Sequence, residues 1–208
     1  MLRMKKRLLL ATGNPGKLGE MRQGLVALQN LGWELLSLKD LGIKTEPEET
    51  GKTFRENALL KARFYAELTS IPSLADDGGF VIPTLNFEPG VFSRRWLGKD
   101  SSDEQLIAHT LKKMQPYKGK DRVSYLELVL CFYDPQSLKA LFENEKIYGV
   151  VASAPTARRI KGFPYRALLK VEPYQKYYDE LTESEHHAVN HRLRALGKIV
   201  PKLLNLYA

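Results

Sequence analysis

Apolar positions fall first in a short unbroken run and then at helical spacing. Leu8-Leu9-Leu10-Ala11 predicts a strand, and Leu18, Met21, Leu25 and Leu28 predict a helix from Leu18 to Leu28. Trp33 to Leu38 predicts a second strand. Thr53 with Glu56 forms a capping box that opens a helix to about Leu68, with Phe54, Ala58, Ala62 and Tyr65 on one face. Pro72 to Ala75 reads as a short strand leading into Asp76-Asp77-Gly78-Gly79. Ser102 with Gln105 opens a further helix to about Met114.

Arg122 to Tyr133 is the longest strand candidate, and Asp134-Pro135-Gln136-Ser137 supplies a turn. Leu138 to Phe142 and Ile147 to Val151 predict two more strands. Thr182 with Glu185 caps a C-terminal helix striped by Val189, Leu193, Leu196 and Val200, which Pro201 is expected to end or kink. Helices and strands alternate early, strands cluster in the middle, and a helix closes the chain. This order predicts a mixed α/β sheet in two lobes rather than a regular doubly wound fold.

The polar stretch between the first strand and helix carries chemistry. Thr12-Gly13-Asn14-Pro15-Gly16-Lys17 is a turn at a helix start, where backbone N–H groups and the positive end of the helix dipole favour an anion. Lys17 adds a full charge. It is not a Walker A loop, because Ala11 stands at the first glycine position and Leu18 replaces the magnesium-binding hydroxyl. Taken alone, the segment is equally well a simple glycine-rich connection.

Composition narrows the class. The chain has 208 residues, 43% hydrophobic and 27% charged, which suits one domain, residues 1–208, with a sizeable core. A net charge of +8 favours anionic ligands without separating nucleotides from nucleic acid. The single cysteine, Cys131, excludes a disulfide within the chain and points to a cytoplasmic setting. Met1 to Arg7 reads as a basic lead-in to the first strand. The apolar run behind it is too short for a secretory core or a membrane span.

Two carboxylate clusters complete the pattern. Glu48-Glu49-Thr50-Gly51 precedes Asn57 and Lys61, which share a helix face. Asp76 and Asp77 cannot both enter an apolar core without a large cost. They are either solvated in a turn, or Asp77 stands beside Glu49 around a magnesium ion.

Thr-Gly-Asn-x-x-Lys, Glu-Glu-Thr-Gly-x-Thr-Phe-x-Glu-Asn-Ala-x-x-Lys-Ala and Ala-Asp-Asp-x-Gly, in this order, resemble the inosine triphosphate pyrophosphatase family. Pro89-Gly90-Val91-Phe92-Ser93-Arg94-Arg95 and Asn190-His191-Arg192-Leu193-Arg194-Ala195-Leu196 resemble two further segments of it. The likeness runs from about Leu8 to Leu196. It implies two lobes around a deep cleft, a mixed twisted sheet flanked by helices, and a homodimer. It also implies magnesium-dependent hydrolysis of non-standard purine nucleoside triphosphates, those of inosine, deoxyinosine and xanthosine, to monophosphate and pyrophosphate.

Carried over by position, Thr12, Gly13, Asn14, Pro15, Gly16 and Lys17 would cradle the phosphates, with Lys61 adding charge. Glu49 and Asp77 would hold Mg2+, and Asp77 would activate water. Gly78, Arg95, Phe163, Pro164, Tyr165, Arg166, His186, His191 and Arg192 would contact substrate, His191 and Arg192 at the purine.

Three positions depart from the family. Its Gly-Phe-Gly-Tyr-Asp-Pro appears as Gly162-Phe163-Pro164-Tyr165-Arg166-Ala167, reversing the charge at Arg166. Gly78 replaces a serine and His186 a lysine. Phe163 remains able to stack on a base, a contact worth about 1–3 kcal/mol. These changes admit a divergent enzyme with altered base specificity, or a catalytically silent nucleotide-binding protein. A nucleic-acid-binding protein is the competing class, suggested by Lys118 to Arg122 and Arg158 to Lys161. No aromatics interleave with those basic runs, so a specific nucleic-acid partner is not expected.

Overall fold

A computed structural model describes residues 6–172 and 174–207; all of the basic lead-in except Lys6 and Arg7 lies outside the described residues. In chain order the elements begin with β1 (Arg7–Leu10), α1 (Pro15–Gly24), α2 (Val26–Asn30), β2 (Glu34–Ser37), α3 (Phe54–Thr69) and β3 (Ser73–Val81). They continue with α4 (Asp103–Met114), β4 (Val123–Asp134), β5 (Lys139–Val151), β6 (Leu169–Val171), β7 (Lys176–Tyr177), α5 (Glu183–Val189) and α6 (His191–Leu206). The strands form one mixed sheet in the order β2-β1-β3-β4-β5-β6-β7. β1 runs parallel to β2 and β3, with Leu9 opposite both Leu36 and Ser73, while β6 is antiparallel to β5 and β7.

The chain divides into two compact units. One takes the described residues of Met1–Asp77 and Arg192–Ala208 together with Leu128–Glu145. Its core joins Leu8, Leu10, Leu74, Leu128, Leu130 and Phe132 of the strands to Met21, Leu28, Leu196, Ile199 and Leu203 of the helices and to Leu25 between α1 and α2. The other takes Gly78–Glu127 and Lys146–His191. Its core packs Phe80, Ile82, Leu106, Met114, Ile147, Leu169 and Tyr178.

All three capping boxes form, at Thr53, Ser102 and Thr182. Several boundaries differ from the sequence expectation. The first helix begins at Pro15 and breaks at Leu25. A Cβ at the preceding Gly24 would lie 2.5 Å from Leu196 Cδ1, so glycine permits the close approach of α1 to α6. The pair of strands expected at Leu138 to Phe142 and Ile147 to Val151 is the single β5. Its polar middle stays extended because Glu143 pairs with Lys202 at 2.5 Å and Glu145 with Arg194 at 3.1 Å and with Lys198.

The expected C-terminal helix is two helices. Asn190 turns to extended backbone (φ −60°, ψ 110°) between α5 and α6. Pro201 neither ends α6 nor begins a new element; it lies inside the helix. The Asp-Asp-Gly-Gly segment is not a turn beyond a strand end but the middle of β3. No helix among the described residues is long and apolar enough to cross a membrane.

Candidate active site

In the first unit, β1 delivers the chain into the Thr12–Lys17 turn. Asn14 is the cap of α1: its Oδ1 accepts from Gly16 N–H at 2.9 Å and Lys17 N–H at 3.2 Å. Asn14 N–H in turn donates to Thr12 Oγ1 at 3.2 Å. The turn is therefore pre-organised by its own side chains, and two amides expected to face an anion are engaged by Asn14. At Gly13 a Cβ would lie 3.1 Å from Glu46 Oε1, so the turn passes close to the carboxylate loop.

Lys17 projects from α1 to Asp76, with Nζ 3.1 Å from Oδ2. Arg192, at the start of α6, donates from Nη2 to the same oxygen at 2.8 Å and from Nη1 to Glu20. Asp76 and Arg192 are both nearly fully buried, at 2% and 3% exposure. Burial opposes the charge on Asp76, yet Arg192, Lys17 and Lys61 together hold it far below the usual carboxylate range. Burial pushes the Lys17 ammonium down, with Asp76 opposing and Lys61 and Arg192 reinforcing.

The second cluster hangs on α3. Asn57 Oδ1 accepts from Gly51 N–H at 2.8 Å, tying the Glu49 loop to the helix one turn before Lys61. A Cβ at Gly51 would sit 2.5 Å from that same Oδ1, so the tie requires glycine. Lys61 Nζ then bridges Glu49 Oε1 at 2.8 Å and Asp77 Oδ1 at 3.0 Å. Its pKa is raised although burial acts against it, because both carboxylates hold its proton. Asp77 shifts upward too: burial, aided by the charge of Glu49, outweighs the opposing Lys61 and Lys17.

That imbalance bears on a metal ion. Asp77 Oδ2 is buried without a hydrogen-bond partner, so this carboxylate has an unused acceptor. Glu49 and Asp77 offer the hard oxygen donors that magnesium takes. Among the described residues no group of three or more His, Cys, Asp or Glu side chains could hold an ion by itself. Two carboxylates with the remaining positions filled by water and phosphate oxygens is the usual magnesium arrangement, so the donor set fits.

In the second unit, Gly78 continues β3 and Arg95 lies half-buried just after the Gly90–Phe92 turn. Phe163 is half-buried ahead of a 3₁₀ turn, Pro164–Ala167, whose Pro164, Tyr165 and Arg166 are buried. Tyr165 stacks on Phe80 at 5.0 Å between ring centres and donates its hydroxyl to Ser93 O at 2.5 Å, so its ring belongs to the core. Arg166 Cζ lies 3.8 Å from the Phe163 ring centre and 4.8 Å from that of Tyr178. Tyr178 Oη is 3.0 Å from His186 Nε2. Arg166 thus lies against both Phe163 and Tyr178, and His186 meets the Tyr178 hydroxyl; Tyr178 is a residue the sequence did not single out. His191 is buried at the start of α6.

Sequence reasoning also missed Glu20. The available signal was its position three residues after Lys17, on the same helix face.

Residues 8–202 match the Ham1 family. A Thermus thermophilus protein named dITP/XTP pyrophosphatase is 39% identical, over 100% of this chain and 94% of its own length. A Leptospira interrogans protein of the same name is 35% identical, over 95% and 96%. Among solved structures, a HAM1 protein from Coxiella burnetii superposes with a TM-score of 0.84 at 32% identity, covering 96% of this chain and 98% of that one. The Staphylococcus aureus Ham1 protein gives 0.81 at 26% identity, covering 98% and 100%.

Proposed function

This chain belongs to the Ham1 family, and from that premise we propose that it clears non-standard purine nucleoside triphosphates from the nucleotide pool. It hydrolyses the triphosphates of inosine, deoxyinosine and xanthosine to the monophosphate and pyrophosphate. The observation that carries this reading is Lys61 shared between Glu49 and Asp77, with Asp77 Oδ2 buried and unbonded.

Hydrolysis at the α-phosphorus needs a base for the attacking water and positive charge for the leaving pyrophosphate. Asp77 takes the water proton as the new P–O bond forms and the α–β bridging bond breaks. Lys17 and Lys61 face the phosphates, and the Asn14-capped turn from Thr12 holds them in register. A magnesium ion held by Glu49 and Asp77 would neutralise phosphate charge and lower the pKa of water.

In the second unit, Phe163, with Arg95, Arg166 and His186, forms the base-reading set, and His191 approaches the purine oxygen. Residues 1–208 work as one two-lobed domain, in a cytoplasmic homodimer with no nucleic-acid or membrane partner.

The test is product analysis by phosphorus NMR, with magnesium and a panel of triphosphates, for the wild type beside Asp77→Asn. Monophosphate plus pyrophosphate from inosine or xanthosine triphosphate, lost in the variant, supports the proposal. Diphosphate plus phosphate, or tight binding without turnover, would overturn it in favour of another hydrolase or a silent binder.

A further inference from the structure

Arg166 is only 5% exposed, an unusual place for a guanidinium. It lies against the rings of Phe163 and Tyr178, and Asp179 follows Tyr178 in the chain. Asp179 is 4% exposed, and neither of its carboxylate oxygens reaches a hydrogen bond of good geometry. A buried carboxylate without such partners needs a nearby cation to remain in the fold. The groups acting on it are Arg166, the Ile160 N–H and Arg158, which favour its charge, and Glu180, which opposes it. Burial prevails and pushes the carboxyl up to about 6.

Arg166 and Asp179 are thus both buried beside Tyr178, and the Arg166 charge favours the ionised Asp179 carboxylate. A desolvated guanidinium on the face of an aromatic ring restrains that ring, and Phe163 alone of the three packed groups keeps substantial exposure. We propose that Asp179 is a positioning residue that, through the Arg166 guanidinium, fixes the Phe163 ring as the stacking surface for the nucleotide base. This rests on the reading of Phe163 as a base contact.

The test compares KM and kcat for inosine triphosphate with the inhibition constant of inorganic tripolyphosphate, which carries no base. Asp179→Asn should raise KM roughly tenfold, the scale of a desolvated cation–ring contact, with kcat within about twofold. The tripolyphosphate constant should not move. Phe163→Ala should do the same, and the double variant should be no worse than Phe163→Ala alone, since both act on one contact. In the wild type the ratio of KM to the tripolyphosphate constant should climb as the pH falls below about 6, where Asp179 takes up a proton. That climb should vanish in Phe163→Ala, a test that stands even if Asp179→Asn does not fold.

A raised KM in Phe163→Ala with Asp179→Asn unchanged sinks the positioning role and leaves the base contact intact. So does a Phe163→Ala enzyme that keeps the wild-type pH climb. No change of KM in Phe163→Ala overturns the base contact itself, and the inference with it.

Discussion

Asp76 and Asp77 are consecutive on β3 yet serve different cations. Asp76 Oδ2 meets Lys17 at 3.1 Å and Arg192 at 2.8 Å, whereas Asp77 Oδ1 meets Lys61 at 3.0 Å. Successive strand side chains alternate in direction, so one dipeptide can serve two clusters. The clusters are not electrically alike. Asp76 is held far below the usual carboxylate range by its cations, whereas burial and Glu49 push Asp77 upward.

Asp77→Asn is expected to abolish turnover while leaving the free protein at least as stable as the wild type at pH 7. Burial raises the Asp77 pKa, so its ionised form is disfavoured by folding, and a neutral amide of the same shape mimics the favoured state. Chemical denaturation without metal or substrate checks this. A clear loss of stability would mean that the Lys61 contact outweighs the burial of Asp77.

Asp76→Asn should behave in the opposite way. Removing its charge leaves Arg192 and Lys17 short of a buried partner, which costs about 3–5 kcal/mol. The folded pKa of Asp76 lies below its unfolded value, so its contribution is present above roughly pH 4 and lost as pH falls towards the folded value. The stability difference between wild type and variant should therefore be full at pH 7 and shrink below pH 4. A difference constant across that window would argue against the charge network.

Local signals were more legible in the sequence than those that depend on distant partners. Capping boxes at Thr53, Ser102 and Thr182 are local signals, written within four residues, and each opens the expected helix. The i,i+4 spacing of Asn57 and Lys61 is likewise local, and both do project from α3 towards the Glu49 loop. The errors arose where a distant partner decides. Asp76 to Gly79 reads as a turn until Lys17, Arg192 and Lys61 supply its counter-charges. Glu143 to Lys146 reads as a break until α6 brings Lys202, Arg194 and Lys198 to it. The Arg166 and Asp179 pair lies thirteen positions apart, beyond any helical or strand spacing.

Gly79→Ala should destabilise the second unit. A Cβ there would overlap Ser93 Oγ and lie 2.6 Å from Gly90 O. That hydroxyl donates to Gly90 O at 2.6 Å and accepts from Phe80 N–H at 2.9 Å, so it cannot move aside without breaking both. A loss of about 1–3 kcal/mol is expected, typical of overpacking. Thermal unfolding of the variant decides it, and an unchanged midpoint would show that the turn yields freely.

Cys131 should resist thiol reagents in the native protein. It is fully buried on β4, and burial pushes its thiol up to about 12, leaving almost no thiolate at neutral pH. Labelling with a coloured disulfide should follow global unfolding in denaturant. Rapid labelling under native conditions would mean that β4 opens locally.

Pro201→Ala is expected to stabilise the protein. Pro201 is exposed inside α6, where it offers no N–H and its ring crowds the carbonyl of Gly197 four residues earlier. The helix continues past it because Leu196, Ile199, Val200 and Leu203 are buried on the other side, and that burial outweighs the local penalty. Alanine keeps the buried stripe and restores the missing donor, so a gain of about 1–3 kcal/mol should appear in urea unfolding. A loss instead would mean that the proline sets a bend which the packing of Leu203 requires.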